Sequence, residues 1–281
     1  MMKILLYKVP VTKSFKQSFK EKLDDINNQL IVNDIYRSKD DYSPVIPGSS
    51  IKGAIRTAIV STYGESKNKE ELFEREKPKT NFENIILNCK GAKDDPFRAI
   101  HISDCKISGK NNQLVCKILN YKPKGKRGNC KSKMQIIMEL ITGVYLGGNA
   151  TGEFELTIDD ALQNIKLPES NNKTFIELKL NVEEIIEKCD KFYKNHLAEE
   201  SRKFYKDSPV DEIKKMSAKL LTKVKEICTS NNECLIRVGR HSHFENVTID
   251  KHRIVGPGSS RFLMEENFFP LGFAKLRFEK V

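Results

Sequence analysis

The feature that most constrains this chain is a loop that leads directly into an amphipathic helix. The loop, residues 44–50, has the sequence PVIPGSS, and helical periodicity follows over residues 51–60. Ser49 or Ser50 can cap the helix start, and Gly64 is placed to end it. The apolar stripe of this helix consists of Ile51, Ala54, Ile55, Ala58 and Ile59. Because the stripe follows the i, i+3, i+4 rule, the helix must bury one face against other secondary structure.

The rest of the chain mixes strand and helix patterns. Alternating segments predict strands at 3–9, 98–107, 114–119, 134–143 and 152–159. Helical periodicity predicts one helix over 181–205 and another over about 210–228, and the tail is predicted as strand and loop. The mixture predicts an α+β fold in a single domain spanning 1–281. Its expected parts are a core at 44–165 with a basic loop, a helical segment at 181–230, and C-terminal strands with a glycine-rich loop at 234–281.

Charge favours a polyanionic partner. The 281 residues include 49 Lys and Arg against 38 Asp and Glu, a formal net charge of +11. Lysine and arginine beside phosphates release condensed counterions, which favours nucleic acid. A Lys-rich, Trp-free composition also follows from genome bias, so charge alone does not decide the partner.

The sequence disfavours several other classes of protein. No run of 18 apolar residues occurs, so no membrane span is predicted. The seven cysteines include no C-x-x-C pair, which argues against a disulfide framework and a zinc ribbon. We expect reduced thiols in a cytoplasmic protein, with no cofactor and no metal.

The start of the 51–60 helix is the first candidate nucleic-acid-binding segment. Backbone N–H groups and the helix dipole attract phosphate there, and Lys52 and Arg56 share the face opposite the apolar stripe. Gly53 is costly inside a helix unless another backbone approaches closely. The candidate contacts are Gly48, Ser49, Ser50, Lys52, Gly53 and Arg56. The alternative is a solvated basic face on a core helix.

The second candidate is a basic loop between Lys117 and Lys133 that contains no acidic residue. Its candidate contacts are Lys122, Lys124, Lys126 and Arg127, and Tyr121 is expected to stack on a base. The alternative is a solvated loop without a ligand.

The third candidate is the late glycine loop around Gly239. Arg237, Gly239, Arg240, His241 and His243 crowd together there. One hypothesis is a loop that contacts phosphate. The other is a histidine acid–base pair that cuts RNA, because imidazole titrates near neutral pH. A metal site that adds His252 is disfavoured. The helix start and this loop are expected to form one cationic groove.

Together these segments resemble the RAMP superfamily of CRISPR-associated proteins. Residues 46–56, IPGSSIKGAIR, are similar to its Pro-Gly-Ser-Ser-hydrophobic-Lys-Gly signature. Residues 237–249 and Arg261 with 269–276 are similar to the closing segments of one branch, the fifth Csm subunit of type III-A effector complexes. Members of that branch usually carry a glycine-containing loop before the first motif, and none precedes residue 44. Either the start is truncated or the chain is a shortened member.

The resemblance implies a ferredoxin-like (RRM-type) antiparallel sheet core with inserted helices and loops. It also implies a non-catalytic subunit that binds guide RNA (crRNA), caps the 3′ end of the backbone filament and supports guide maturation and antiviral defence. Implied partners are the guide, the neighbouring backbone RAMP subunit, the small helical Csm subunit and, less directly, target RNA. By the matching motifs, the resemblance implies that the helix start, the late loop and Arg261 face the RNA. Two alternatives stay open: a metal-independent endoribonuclease using a histidine, and an assembly module without RNA affinity.

Overall fold

The computed structural model places helices and short strands around one main core. It describes residues 7–25, 30–65, 82–87, 89, 91–109, 111–123, 136–143, 149–163, 180–226, 228–243, 246 and 258–280. The helices are α1 (Lys13–Glu21), α2 (Gly48–Glu65), α3 (Phe82–Ile86), α4 (Asp160–Gln163), α5 (Val182–Glu200) and α6 (Asp211–Glu226). A 3-10 turn spans Pro96–Ala99, and a π-helical turn, Ser201–Tyr205, continues α5.

The strands form four small sheets. They are β1 (Val32–Asn33), β2 (Val45–Ile46), β3 (Ile100–Ile102), β4 (Cys105–Ser108), β5 (Gln113–Tyr121), β6 (Ile136–Ile141), β7 (Thr151–Glu153), β8 (Leu156–Ile158), β9 (Glu233–Arg237), β10 (Arg261–Met264) and β11 (Phe273–Arg277). The largest sheet has the order β1-β6-β5-β10, and the others pair β2-β4-β7, β3-β8 and β9-β11. All pairings are antiparallel except β1 with β6.

Helix α2 lies in the centre of the packing. Its predicted apolar stripe is buried throughout, and α2 packs on α5, β9 and β3. The Tyr193 hydroxyl on α5 donates a hydrogen bond to the Ala54 carbonyl at 3.0 Å, which fixes the two helices against each other. The other two long helices also bury apolar side chains, including Ile185 and Tyr193 of α5 and Ile213 of α6.

The α+β class is confirmed. The helices predicted at 181–205 and about 210–228 are present, and so are strands within 114–119 and 134–143. The segments 98–107 and 152–159, predicted as single strands, are each split into two short ones. The finer expectation of a ferredoxin-like sheet stays a prediction; in the largest described sheet, the two-residue strand β1 runs parallel to β6. Most of the predicted strand at 3–9 lies outside the described residues.

Helix α1 was missed in the sequence. Its segment is Lys-rich, and Phe15 is its one buried apolar side chain, packed against Val115 and Ile137. The Thr12 hydroxyl accepts a hydrogen bond from the Phe15 N–H at 3.3 Å and caps the helix. Phe15 therefore anchors α1 against β5 and β6.

Six of the seven cysteines lie among the described residues. Cys89, Cys105, Cys116, Cys189, Cys228 and Cys234 are free thiols, and all but Cys228 are buried. Cys130 lies outside the described residues. Within the described part of the chain, no helix has the length and apolar character needed to cross a bilayer.

A buried charge cluster joins the end of α5 to β9 and β10. Glu200 Oε2 lies 2.6 Å from Arg237 Nη1 and 3.4 Å from Arg261 Nε. The Tyr205 hydroxyl donates to Glu200 Oε1 at 2.5 Å. The side chains of Glu200, Arg237 and Arg261 are 4%, 0% and 3% exposed, so water contributes almost nothing to their solvation.

Burial by itself would raise the pKa of Glu200, because it disfavours the charged carboxylate. The charge and hydrogen bond of Arg237, the charge of Arg261 and the Tyr205 hydroxyl outweigh burial and lower this pKa to about 2. Glu200 is therefore ionised in the folded protein at neutral pH, and its charge holds two guanidinium groups inside the core.

We expect Glu200→Gln to lower the free energy of unfolding at pH 7 by about 3–5 kcal/mol, because it leaves two buried guanidinium groups without a counter-charge. The matched control is Glu199→Gln on the same helix, where a 52% exposed carboxylate pairs with Lys203. Removal of that surface pair is expected to cost less than about 1 kcal/mol. Urea unfolding of the three proteins measures the difference.

The pH dependence provides a second readout of the same variant. Because the pKa of Glu200 is lowered on folding, its stabilisation is present above the ordinary glutamate value of 4.5 and disappears as the pH falls toward about 2. The stability gap between wild type and Glu200→Gln should therefore shrink across this window. A gap that stays constant from pH 6 to pH 3 would contradict the ionised cluster.

Candidate nucleic-acid interface

Asp104, rather than Ser49 or Ser50, caps the start of α2. The helix begins at Gly48, whose N–H donates to Asp104 Oδ1 at 2.8 Å. A Cβ at position 48 would collide with the carbonyl oxygens of Ile102 and Ser103, so only glycine allows this close approach. The serine caps expected from the sequence are wrong, and Ser49 and Ser50 are exposed.

Lys52 and Arg56 lie on the same face of α2 but have different partners. Lys52 Nζ donates to the Ile100 carbonyl at 2.7 Å and is half-buried. Arg56 Nε donates to Glu83 at 2.9 Å, and Arg56 Nη1 lies 2.7 Å from Asp95 Oδ2. Within the described residues, no carboxylate pairs with Lys52. The positive charge available at this helix start therefore belongs to Lys52.

The assignment of Arg56 to RNA contact is corrected. Its guanidinium is neutralised by two carboxylates and lies 4.9 Å above the centre of the Phe97 ring. Burial opposes the charge of Arg56, yet the hydrogen bonds and charges of Asp95 and Glu83 raise its pKa above the ordinary value. Arg56 thus ties α2 to α3 and to the 3-10 turn.

Gly53 has no protein atom within 4 Å of the position that a Cβ would take. The close approach of another part of the chain, which the sequence suggested, is therefore absent among the described residues. Gly53 is exposed on the same side of α2 as Ser49 and Ser50. This leaves a bare stretch of helix backbone facing solvent beside Lys52.

The late glycine loop leaves β9 at Arg237 and packs on the largest sheet. Gly239 has φ +98°, a conformation that side-chain-bearing residues rarely adopt, and this turn redirects the chain. Arg240 is exposed, and its Nη1 donates to Asn33 Oδ1 on β1 at 3.0 Å. The rings of His241 and His243 lie 4.3 and 5.7 Å from the Phe262 ring on β10.

Both histidines of this loop are engaged by neighbouring groups of the protein. Burial, and then the charge of Arg240, lower the pKa of His241 below the ordinary value. His243 Nε2 accepts a hydrogen bond from the Phe262 N–H at 3.4 Å. His243 is thus engaged by the backbone, and its ring stacks on Phe262 with an interplanar angle of 12°.

Arg237 and Arg261 are also corrected from RNA contact to structural residues. Both guanidinium groups are enclosed with Glu200, and they lie over the rings of Phe273 and Phe204 at 4.4 and 3.6 Å. Arg237 Nε additionally donates to the Leu271 carbonyl at 2.9 Å. Since neither side chain reaches the surface, neither is placed to contact a phosphate.

The basic loop is described only at its beginning. Lys122 is exposed, as expected, whereas Lys124, Lys126 and Arg127 lie outside the described residues. Tyr121 is fully buried, and its hydroxyl donates to the Ser208 hydroxyl at 2.7 Å. The expected stacking of Tyr121 on a base is therefore wrong.

A shallow depression of about 470 Å³ opens beside the start of α2. Its polar lining residues are Ser49, Lys52, His101, Ser103, Glu155 and Thr157. Sequence reasoning did not select His101, Glu155 or Thr157 as site residues. The pairing of β3 with β8 brings them together, and strand alternation at His101 was the one available sequence signal.

The helix start and the late loop lie against different sheets. The start of α2 faces β3 and β8, whereas the late loop contacts β1 and β10 of the largest sheet. The described contacts therefore place two cationic surfaces, one around Lys52 and one around Arg240, against different sheets. That the two surfaces form the single groove expected from the sequence stays a prediction. Among the described residues, no group of three or more His, Cys, Asp or Glu could hold a metal.

Comparison with known proteins identifies the family. The family model of the RAMP superfamily matches residues 27–242, well over half of the chain. The chain belongs to the RAMP superfamily. No curated protein sequence matches it. The superfamily resemblance drawn from residues 46–56 is thereby confirmed.

Two solved structures share the fold of this RAMP protein. One is a chain in the cryo-EM structure of a Csm–crRNA–target RNA ternary complex in a type III-A CRISPR-Cas system, with a TM-score of 0.58, 18% identity, and coverage of 87% of this chain and 75% of that chain. The other is the crystal structure of T. onnurineus Csm5, with a TM-score of 0.52, 14% identity, and coverage of 92% and 82%. At these identities the similarity concerns the fold.

We expect Arg56→Ala to lower the free energy of unfolding by about 2–3 kcal/mol, because it removes charge-assisted hydrogen bonds to Glu83 and Asp95. The matched control is Arg98→Ala, which removes an exposed guanidinium nearby and should cost less than about 0.5 kcal/mol. Denaturant unfolding measures both. Equal stability of the two variants would show that Arg56 has no structural role.

Proposed function

We propose that this RAMP protein is a guide RNA-binding subunit of a type III-A CRISPR effector complex. The observation that carries the proposal is the start of α2, where exposed serines, a bare glycine and a lysine without a carboxylate partner among the described residues meet the positive end of an 18-residue helix. Superfamily membership and the fold of Csm-complex chains support the same function.

The mode of binding is contact with the sugar-phosphate backbone. Lys52 supplies one cation at the helix start, and Arg240 supplies a second on the late loop. Lys122 is exposed at the end of β5 and adds a third. Because ammonium and guanidinium groups contact phosphates regardless of base, this recognition tolerates different guide sequences.

Within the complex, the protein caps the filament at the 3′ end of the guide and supports guide maturation in antiviral defence. Its partners are the guide, the neighbouring backbone RAMP subunit and the small helical Csm subunit, with target RNA as a further contact. The order of the motifs at 46–56, 237–249 and 261–276 and the fold likeness to T. onnurineus Csm5 support this position. A ferredoxin-like core is part of the same proposal.

We expect the double variant Lys52→Ala with Arg240→Ala to bind single-stranded RNA more weakly than wild type and with a shallower salt dependence. Removing one ion pair with a phosphate reduces the steepness of log K against log salt concentration by about 0.7. Fluorescence anisotropy across a salt series measures affinity and slope together.

The matched control removes two exposed lysines from α6, Lys215→Ala with Lys219→Ala. It changes the net charge equally and should leave the slope at the wild-type value. If both double variants reduced the slope equally, the effect would come from total charge, and the two cationic surfaces would not be the binding site.

The protein is proposed to be non-catalytic. His241 packs on Phe262, and His243 accepts a backbone hydrogen bond, and these contacts support a structural role for both histidines. We therefore expect repeat-containing RNA to remain full length after prolonged incubation with the pure protein in EDTA. If the wild-type protein cleaved this RNA and His241→Ala did not, the protein would instead be a metal-independent endoribonuclease.

A further inference from the structure

The depression beside the start of α2 gathers polar groups that the chain itself does not use. His101 on β3 pairs directly opposite Thr157 on β8. Their strand neighbours, including Ile100 and Ile158, pack into the main core. Because side chains alternate along a strand, His101 and Thr157 both point outward and lie side by side.

One side of this depression suits a phosphate. Lys52 Nζ is held by the Ile100 carbonyl, next to His101 in the chain, so the ammonium and the imidazole approach the same space. An ammonium has three donors, and this hydrogen bond uses only one of them. The exposed Ser49 lines the same side.

The other side carries a carboxylate. Glu155 is exposed and lines the depression together with Thr157. Its backbone N–H donates to Ser103 Oγ at 2.8 Å and its carbonyl accepts from Ser103 N–H at 3.0 Å, so the position of residue 155 is fixed. In the described part of the chain, nothing pairs with the Glu155 carboxylate or with the His101 ring.

This mixed lining excludes a ligand that consists of phosphate alone. A carboxylate repels a phosphate but accepts a hydrogen bond from a hydroxyl. A ribonucleotide offers both features, a phosphate on one side and the 2′-hydroxyl donor on the other. A volume of about 470 Å³ lies within the range of pockets that hold molecules of this size.

We propose that the depression binds one nucleotide of the guide, with its phosphate at Lys52 and His101 and its ribose 2′-hydroxyl donating to the Glu155 carboxylate, so that the protein selects RNA over DNA. This inference rests on the proposed function, since it names a subsite and a specificity-determining residue of the same surface. The 2′-hydroxyl is the group that lets a protein distinguish the two nucleic acids at a given position.

The test compares single-stranded RNA and DNA of one sequence bound to the full-length chain. Glu155→Ala should weaken RNA binding about tenfold, because it removes a hydrogen bond to a charged group, and should leave DNA binding unchanged or slightly stronger. His101→Ala should weaken RNA and DNA binding alike. Glu153→Ala, an exposed carboxylate two residues away, is the matched control and should preserve the wild-type ratio.

The outcomes separate this inference from the function on which it rests. If wild type bound neither nucleic acid, RNA binding itself would be wrong. If wild type bound RNA but Glu155→Ala kept the RNA-to-DNA ratio of Glu153→Ala, only the subsite would be wrong. Stronger binding of both nucleic acids by Glu155→Ala would show that the carboxylate merely repels phosphate. If Glu155→Ala weakened binding to a partner subunit but left RNA and DNA binding unchanged, the depression would be a protein-contact surface instead.

Discussion

The C-terminal half of the structure depends on the buried ion pairs that the Glu200 carboxylate forms with two arginines. The carboxylate holds the guanidinium groups of Arg237 and Arg261 in the core and so joins the end of α5 to β9 and β10. Isolating any of these charges would cost several kcal/mol, so the three groups form one unit. The π-helical turn that follows Glu200 places Tyr205 on the same carboxylate and Phe204 against Arg261.

This cluster also positions the late glycine loop. Arg237 is the last residue of β9, and Gly239 turns the chain two residues later. Phe262 follows Arg261 on β10 and carries the rings of His241 and His243. Both sides of the loop are thus attached to residues that Glu200 holds, while Arg240 remains exposed. Arg237 and Arg261 therefore stabilise the fold, whereas Arg240 lies at the surface.

Sequence patterns predicted burial well and ionic partners poorly. The apolar stripe of α2 and the faces of α5 and α6 are buried as expected, because helical periodicity records which side of an element is apolar. Of the six arginine and lysine positions that the structure describes among the RNA-binding candidates, Arg56, Arg237 and Arg261 are neutralised by carboxylates, whereas Lys52, Lys122 and Arg240 are not so engaged. Helix α1 was missed because its segment is Lys-rich and carries only two apolar side chains, Phe15 and Phe19.

The sequence by itself determined the α+β class, the long helices and membership of the RAMP superfamily, because these depend on local periodicity and on contiguous motifs. Only the tertiary structure decided which cations stay available and where the depression beside α2 forms. Asp95 lies 39 residues from Arg56, and Glu200 lies 37 residues from Arg237. Charges so far apart in the chain leave no local pattern, and His101 meets Thr157 only through the pairing of β3 with β8. Which charges pair depends on their distances in space, and these distances are set by strand register and helix packing.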